Sequence, residues 1–351
     1  MIDYAPRLED NDRAIARWLI SVAVLIFAMV ILGGVTRLTG SGLSMVEWAP
    51  IMGTIPPLNE QEWQDTFSKY QQFPQYQKKN MHMNLDEFKD IFVFEYSHRM
   101  LGRLIGLAFL LPFLYFLFHK RLRPSLTPKL IVMFVLGGLQ GLLGWYMVKS
   151  GLVNDPHVSQ YRLAAHLGAA ILIYTYILWV AWGLLRPHPR NEWVRGVESL
   201  RRHSKIAFAL IVLMIFSGAF VAGTRAGLGF NTFPLMNGAF FPDGLFSISP
   251  FYLNFLENPV TIQFDHRLIA YVLMIYIPFV WYKSSKFALN QKSHMAFHLL
   301  LLSFIIQIIL GISTLLAEVP VALAAMHQSG ALLVLTAILY CLHELRLSKS
   351  L

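Results

Sequence analysis

The chain has one cysteine, Cys341, in 351 residues, so no internal disulfide can brace it. Charge is scarce as well. Asp, Glu, Lys and Arg make up 14% of the residues, against 56% hydrophobic ones and a mean hydropathy of +0.51. A soluble domain cannot hide that much apolar surface, which makes this a polytopic membrane protein. The N-terminus lacks a cleavable signal, because its first apolar run is long enough to span and has no small-residue cleavage site. Asp3, Glu9, Asp10 and Asp12 argue against an acid-poor mitochondrial presequence and point to a bacterial inner membrane. The long apolar runs also carry no acid or base near their middles, and an ion pump or antiporter needs such residues.

Eight apolar runs are present, near 17–37, 95–117, 129–149, 162–185, 203–224, 263–283, 295–316 and 322–343. Each has the roughly 20 residues that a spanning helix requires. Arg/Lys-rich links follow the second, fourth and sixth runs, at 119–123, 186–202 and 283–292. Arg7, Arg13 and Arg17 at the start, and Arg346 and Lys349 at the end, fall on the same side. The positive-inside rule then puts both termini in the cytoplasm. The net charge of +9 is an orientation signal, and no nucleic-acid site is expected. In the first outer loop, about 38–94, Asn59 with Glu62 and Asn84 with Glu87 read as the capped starts of two short helices. Trp48, Trp63 and Phe88 give those pieces an apolar side. The third outer loop, about 225–262, is rich in Gly, Pro, Phe and Asn and is a candidate lid.

The two halves repeat. Thr36-Arg37 matches Thr224-Arg225, and Glu95-Tyr96-Ser97-His98-Arg99 matches Gln263-Phe264-Asp265-His266-Arg267. Gln140 and Gly144 match Gln307 and Gly311, and Leu163–His166 resembles Ala324–His327. The expected fold is an all-α polytopic membrane protein: eight transmembrane helices as two parallel-repeat four-helix bundles, residues 1–190 and 191–351.

Of the 12 histidines, His98, His166, His266 and His327 stand at one depth, in the first turns of the even-numbered spans. A small residue follows each by four positions: Gly102, Ala170, Ala270 and Ala331. Positions i and i+4 share a helix face, so a small residue one turn on leaves room for a flat macrocycle beside the imidazole. Two facing helices that each offer a histidine can ligate one haem iron axially. The repeat therefore predicts two sites, His98 with His166 and His266 with His327. A single histidine in a bundle is more often a cross-helix hydrogen-bonder, but four in this pattern disfavour that reading. Zinc is the rival metal and would need a fourth ligand nearby. The other eight histidines lack the pattern. Among them, His294 with His298 at i, i+4 and the soft set Met81-His82-Met83 are weak metal candidates.

Glu95 breaks the symmetry. It lies three residues before His98 on the same face, where the second half has Gln263. An ordinary i, i+4 pair with Arg99 would explain it. An acid beside only one of two matched sites instead suggests that this site does chemistry while the other is a fixed redox centre. Arg99, Arg103 and Arg267 are candidate partners for haem propionates, with Arg37 and Arg225 behind them. Interfacial snorkelling is the competing account.

These segments, with Gly33–Ser44, Ala222–Gly227 and Asn231–Met236, resemble haem A synthases of the type found in alphaproteobacteria and mitochondria. The likeness runs over nearly the whole chain, and the glutamate-histidine segment is its most specific part. It implies a membrane oxidoreductase that converts the C8 methyl of haem O to the formyl group of haem A for cytochrome oxidase. Successive hydroxylations through an alcohol, then loss of water, would carry the reaction. On that analogy His98 and His166 hold haem O, the substrate, and release haem A. His266 and His327 keep a haem b that passes electrons, and Glu95 is the catalytic carboxylate. The resemblance also implies partners: haem O synthase, cytochrome oxidase assembly factors, an electron donor, and a second copy of the chain. Some members have a cysteine pair in an outer loop, and this chain has none. The alternative is a bis-histidine haem b electron-transfer cytochrome, quinol- or ferric-reductase-like, which would have no use for Glu95. A haem transporter or chaperone is a further rival.

Overall fold

The computed structural model describes residues 5–47, 52–151, 158–189, 191 and 193–347; Asp3, Trp48, His157 and Lys349 lie outside them. Among the described residues the regular elements are helical. In chain order they are α1 (Ala5–Leu38), α2 (Glu60–Gln71), α3 (Pro74–Lys79), α4 (Leu85–Phe118), α5 (Thr127–Gly151) and α6 (Gln160–Leu185). There follow α7 (Val197–Thr224), the short α8 (Asn254–Glu257), α9 (Pro259–Ser284), α10 (Gln291–Leu316) and α11 (Val321–Glu344). Eight of these, α1, α4, α5, α6, α7, α9, α10 and α11, are long and apolar enough to cross a membrane. Their surfaces agree with that. On α4, Phe109, Phe113 and Phe116 are buried while Leu104, Leu107 and Leu111 are exposed. On α10, Phe297, Leu300 and Phe304 are buried opposite exposed Ile305, Ile306 and Ile309. Helices apolar on both faces suit lipid on the outside and a bundle on the inside.

Asparagines open three of the eight. Asn258 Oδ1 accepts from the N–H groups of Val260 and Thr261, with Pro259 in the first turn of α9. Asn290 Oδ1 does the same for Lys292 and Ser293 at α10. Asn84 and Glu87 form a reciprocal capping box at α4, each side chain accepting from the other residue's backbone N–H (3.0 and 2.9 Å). Such caps satisfy donors that a helix start would otherwise leave bare.

The Asn84 cap corrects one expectation. Asn59 does open a short helix, α2. Asn84, however, opens the spanning helix itself, which starts ahead of the apolar run and carries His98 well past its first turns. The physical reason is a cluster at its outer end. Phe88 and Phe92 of α4 pack with Phe67 and Tyr70 of α2, with Trp63 and Tyr76 around them. The charges Asp86, Glu87, Lys89 and Asp90, which set this stretch apart from the apolar run, are carried on a helix that continues beyond it. Tyr70 is fully buried and donates to Gln75 Oε1 (3.2 Å), and burial pushes its phenol up to about 12.

The chain forms two compact units. Trp18–Tyr174 makes up the body of the first and Thr175–Leu351 that of the second, so the division falls within α6; Asp12–Arg17 belongs to the second. In the first unit α4 packs on α5 and α2. Trp18 Nε1 of α1 donates to the Ala108 carbonyl of α4 (2.7 Å), and its ring rests on Phe109. In the second, α7 packs on α9 and α11, and α10 packs on the same two helices, which closes a four-helix bundle. One end of that bundle is tied by buried polar groups. Arg186 pairs with Glu344 and Tyr340, while Ser293 Oγ donates to Glu344 Oε2 (3.1 Å).

Candidate functional site

Each of the four histidines lies across a glycine of a neighbouring helix. A Cβ built on Gly33 of α1 would stand 3.0 Å from His98 Cε1 on α4. The corresponding distances are 3.1 Å from Gly144 of α5 to His166 on α6, 3.2 Å from Gly218 of α7 to His266 on α9, and 2.8 Å from Gly311 of α10 to His327 on α11. Any side chain at these positions would press on the imidazole. A glycine inside a helix costs about 1 kcal/mol relative to alanine. Here it lets a ring sit flush on a backbone, and the same device occurs at all four histidines. Gly144 and Gly311 stand out in the sequence only as repeat matches, and Gly33 and Gly218 not as partners of histidine at all. The available signal was a glycine recurring near the same end of each odd-numbered span.

In the first unit His98 and His166 lie within electrostatic reach of each other, as His266 and His327 do in the second. Their Nδ1 atoms differ. His266 Nδ1 meets Ser217 Oγ at 2.7 Å, and His327 Nδ1 meets the Gln307 side-chain amide at 3.1 Å. Among the described residues His98 Nδ1 and His166 Nδ1 are buried without a hydrogen-bond partner. Gln140, the repeat counterpart of Gln307, instead donates to the His166 backbone carbonyl (2.9 Å). Two imidazoles per site, with no protein hydrogen bond at Nε2 among the described residues, form a donor set that suits a six-coordinate haem iron. Among those residues no three His, Cys, Asp or Glu side chains converge.

Glu95 is 2% exposed and held on all sides. Its Oε2 accepts from Ser44 Oγ (2.8 Å) and the Met45 N–H (2.7 Å), and its Oε1 from Arg99 Nε (3.1 Å) and Nη2 (2.6 Å). Arg99 also donates to the carbonyls of Met45 (2.7 Å) and Glu47 (3.1 Å). The second unit repeats this clamp with different chemistry. Gln263 Nε2 donates to Phe230 O (2.9 Å), while Arg267 donates to Phe230 O (2.7 Å), Thr232 O (2.8 Å) and Leu235 O (3.3 Å). In both units a helix residue three before the histidine, and the arginine just after it, pin the loop that follows the preceding odd-numbered span. Arg103 lies one turn further along α4, with Nη1 3.9 Å from Met100 Sδ. Of the small residues after the histidines, Gly102 meets Met29: a Cβ there would stand 3.3 Å from Met29 Cε.

The loop 225–258 is ordered from within. Asn254 is fully buried, donates to Ile248 O (2.7 Å) and Phe251 O (2.9 Å), and accepts from Ile248 N–H (2.9 Å). Among the weaker candidates, His298 Nδ1 accepts from Trp281 Nε1 (3.0 Å), and Met81 is exposed on its loop.

A family model described as cytochrome oxidase assembly protein, COX15-CtaA, matches residues 16–339. The chain is 55% identical over 335 residues to the heme A synthase of Nitrosospira multiformis, covering 95% of this chain and 94% of that one. It is 47% identical over 344 residues to the heme A synthase of Parvibaculum lavamentivorans, with 98% of each covered. It is 45% identical over 341 residues to the heme A synthase COX15 of Homo sapiens, covering 95% and 83%.

Proposed function

Because the chain belongs to the COX15-CtaA family of cytochrome oxidase assembly proteins, we propose that it oxidises haem O to haem A for cytochrome oxidase. It is a multi-pass membrane oxidoreductase with haem O as substrate. The observation that carries this reading is identity of 45–55% to heme A synthases over nearly the full length. The seating of four histidines on four glycines supports it from the structural side.

Within that function the roles divide between the two halves of the repeat. His98 and His166 hold haem O in the first four-helix half, residues 1–190, where the C8 methyl is carried to a formyl group. His266 and His327 hold a haem b in the second, residues 191–351; that group supplies one-electron redox chemistry when bound. Glu95 lies one helical turn before His98, its carboxylate oriented by Ser44, Met45 and Arg99. It serves as the proton-transferring or charge-stabilising group at the oxidised carbon. Arg103, like Arg99 and Arg267, is a candidate propionate partner. Arg99 and Arg267 already hold loop carbonyls and would serve a propionate only alongside that task. Both termini lie in the cytoplasm, which puts the histidine ends of the helices toward the outer face.

Pigment extraction and chromatography of the purified protein, expressed with and without a haem O supply, tests the function. Haem b alone without the supply, and haem O with hydroxylated and formylated derivatives when it is supplied, is the expected result. Haem b in both, with a working electron donor present, would make the chain an electron-transfer cytochrome.

A further inference from the structure

The two histidine pairs are seated alike but bonded differently, and the difference has a local cause. Ser217 Oγ lies 2.9 Å from the Met214 carbonyl, which can take its proton, and 2.7 Å from His266 Nδ1. With Ser217 accepting, His266 carries its proton on Nδ1, which leaves the Nε2 lone pair for a metal. At the second ring of that site, the Gln307 amide reaches His327 Nδ1 because residue 330 is glycine. A Cβ there would collide with Gln307 Oε1. The matched position in the first unit, three residues past His166, is Ala169. Its counterpart amide, Gln140, takes the His166 backbone carbonyl and leaves the ring alone. Ser217 has no polar counterpart either. Counted back from the Thr-Arg pair it corresponds to Met29, and counted from the glycine seat to Leu32.

Resting on the reading of the four histidines as haem ligands, we infer that Ser217 and Gln307 are positioning residues that make the second site permanent. Gly330 makes room for the amide. The lack of such partners at His98 and His166 leaves the first site exchangeable. An acceptor on Nδ1–H fixes the plane of the imidazole and raises the basicity of Nε2, which tightens its bond to iron and favours the ferric state. At His327 the structure sets Gln307 Nε2 against Nδ1 (3.1 Å), and a half-turn of the terminal amide would present Oε1 as the acceptor. A ring with a bare Nδ1 is a weaker donor and is held by packing on its glycine alone. A substrate haem must leave after reaction, whereas an electron-passing haem must stay.

The test uses the full-length purified protein loaded with haem b, and follows haem release to excess apomyoglobin together with the midpoint potential. Ser217→Ala and Gln307→Leu should each speed release from the slow site by about 10- to 100-fold and raise its potential. Gly330→Ala should behave like Gln307→Leu. Ser217→Thr, which keeps a hydroxyl, should match the parent. Gln307→Glu, a stronger acceptor, should lower the potential, a sign that a mere packing defect would not produce. Unchanged release and potential in both Ser217→Ala and Gln307→Leu would overturn the inference. Retention of the slow haem in His266→Ala and in His327→Ala would overturn the ligand reading beneath it. The two failures are therefore distinguishable.

Discussion

At the scale of single residues, the structure gives Glu95 two tasks. It clamps the loop at Ser44 and Met45, and it stands one turn from His98. The clamp explains its burial, since a carboxylate this enclosed needs Arg99 and two further donors. A clamp alone does not require an acid, because Gln263 performs the matching task in the second unit. That contrast favours chemistry at Glu95 and separates the roles by experiment. Glu95→Gln should keep haem b and abolish haem A formation, whereas Ser44→Ala, which removes one clamp bond, should keep most of it. Equal loss in both variants, read by pigment chromatography, would reduce Glu95 to a loop anchor. The four histidines, Glu95 and the arginines are legible in the sequence because ionisable groups near a membrane are rare. Gly33, Gly218, Ser217 and Gly330 are not. Their meaning depends on which helix faces which, and a helix apolar all round gives no stripe from which to read that.

At the scale of elements, long apolar runs reveal the eight spans because lipid demands them, and asparagine caps mark several of their starts. Where a helix leaves the membrane, that signal ends. The outer turns of α4 carry four charges yet remain helical, because Asn84 and Glu87 cap them and Phe88 and Phe92 pack on α2. Asn84→Ala should therefore cost about 1 kcal/mol and fray the outer end of α4 while leaving the His98 site loaded. Faster proteolysis within 72–94, with an unchanged haem spectrum, is the expected readout. Loss of the haem spectrum would mean that the outer turns support the site directly. The loops after α1 and α7 were legible as long, and the second as glycine-rich, but their anchoring to Arg99 and Arg267 was not, since one side chain reaching several carbonyls leaves no trace in composition.

At the scale of the whole molecule, the repeat was visible in Thr-Arg, in histidine and in Gln-x-x-x-Gly, and the structure adds a slip inside it. Gly33 lies three residues before Thr36, while Gly218 lies six before Thr224, so the two glycine seats are offset along their helices by about one turn. Duplicated halves that diverge in this way can keep the same ligands for different purposes. The basic links predict orientation: reporters fused at either terminus or within 286–292 should report cytoplasm, and one placed within 237–246 should report the opposite side. The reverse pattern would turn the histidine ends inward. The central claim is that two histidine pairs serve two different haems. It is tested most directly by replacing each of the four histidines with alanine and recording, for each purified variant, the haem b spectrum and the haem A yield in cells supplied with haem O. His98→Ala and His166→Ala should keep haem b and lose haem A, while His266→Ala and His327→Ala should lose the haem b spectrum. Haem b lost alike from all four, or retained in all four, would contradict the division.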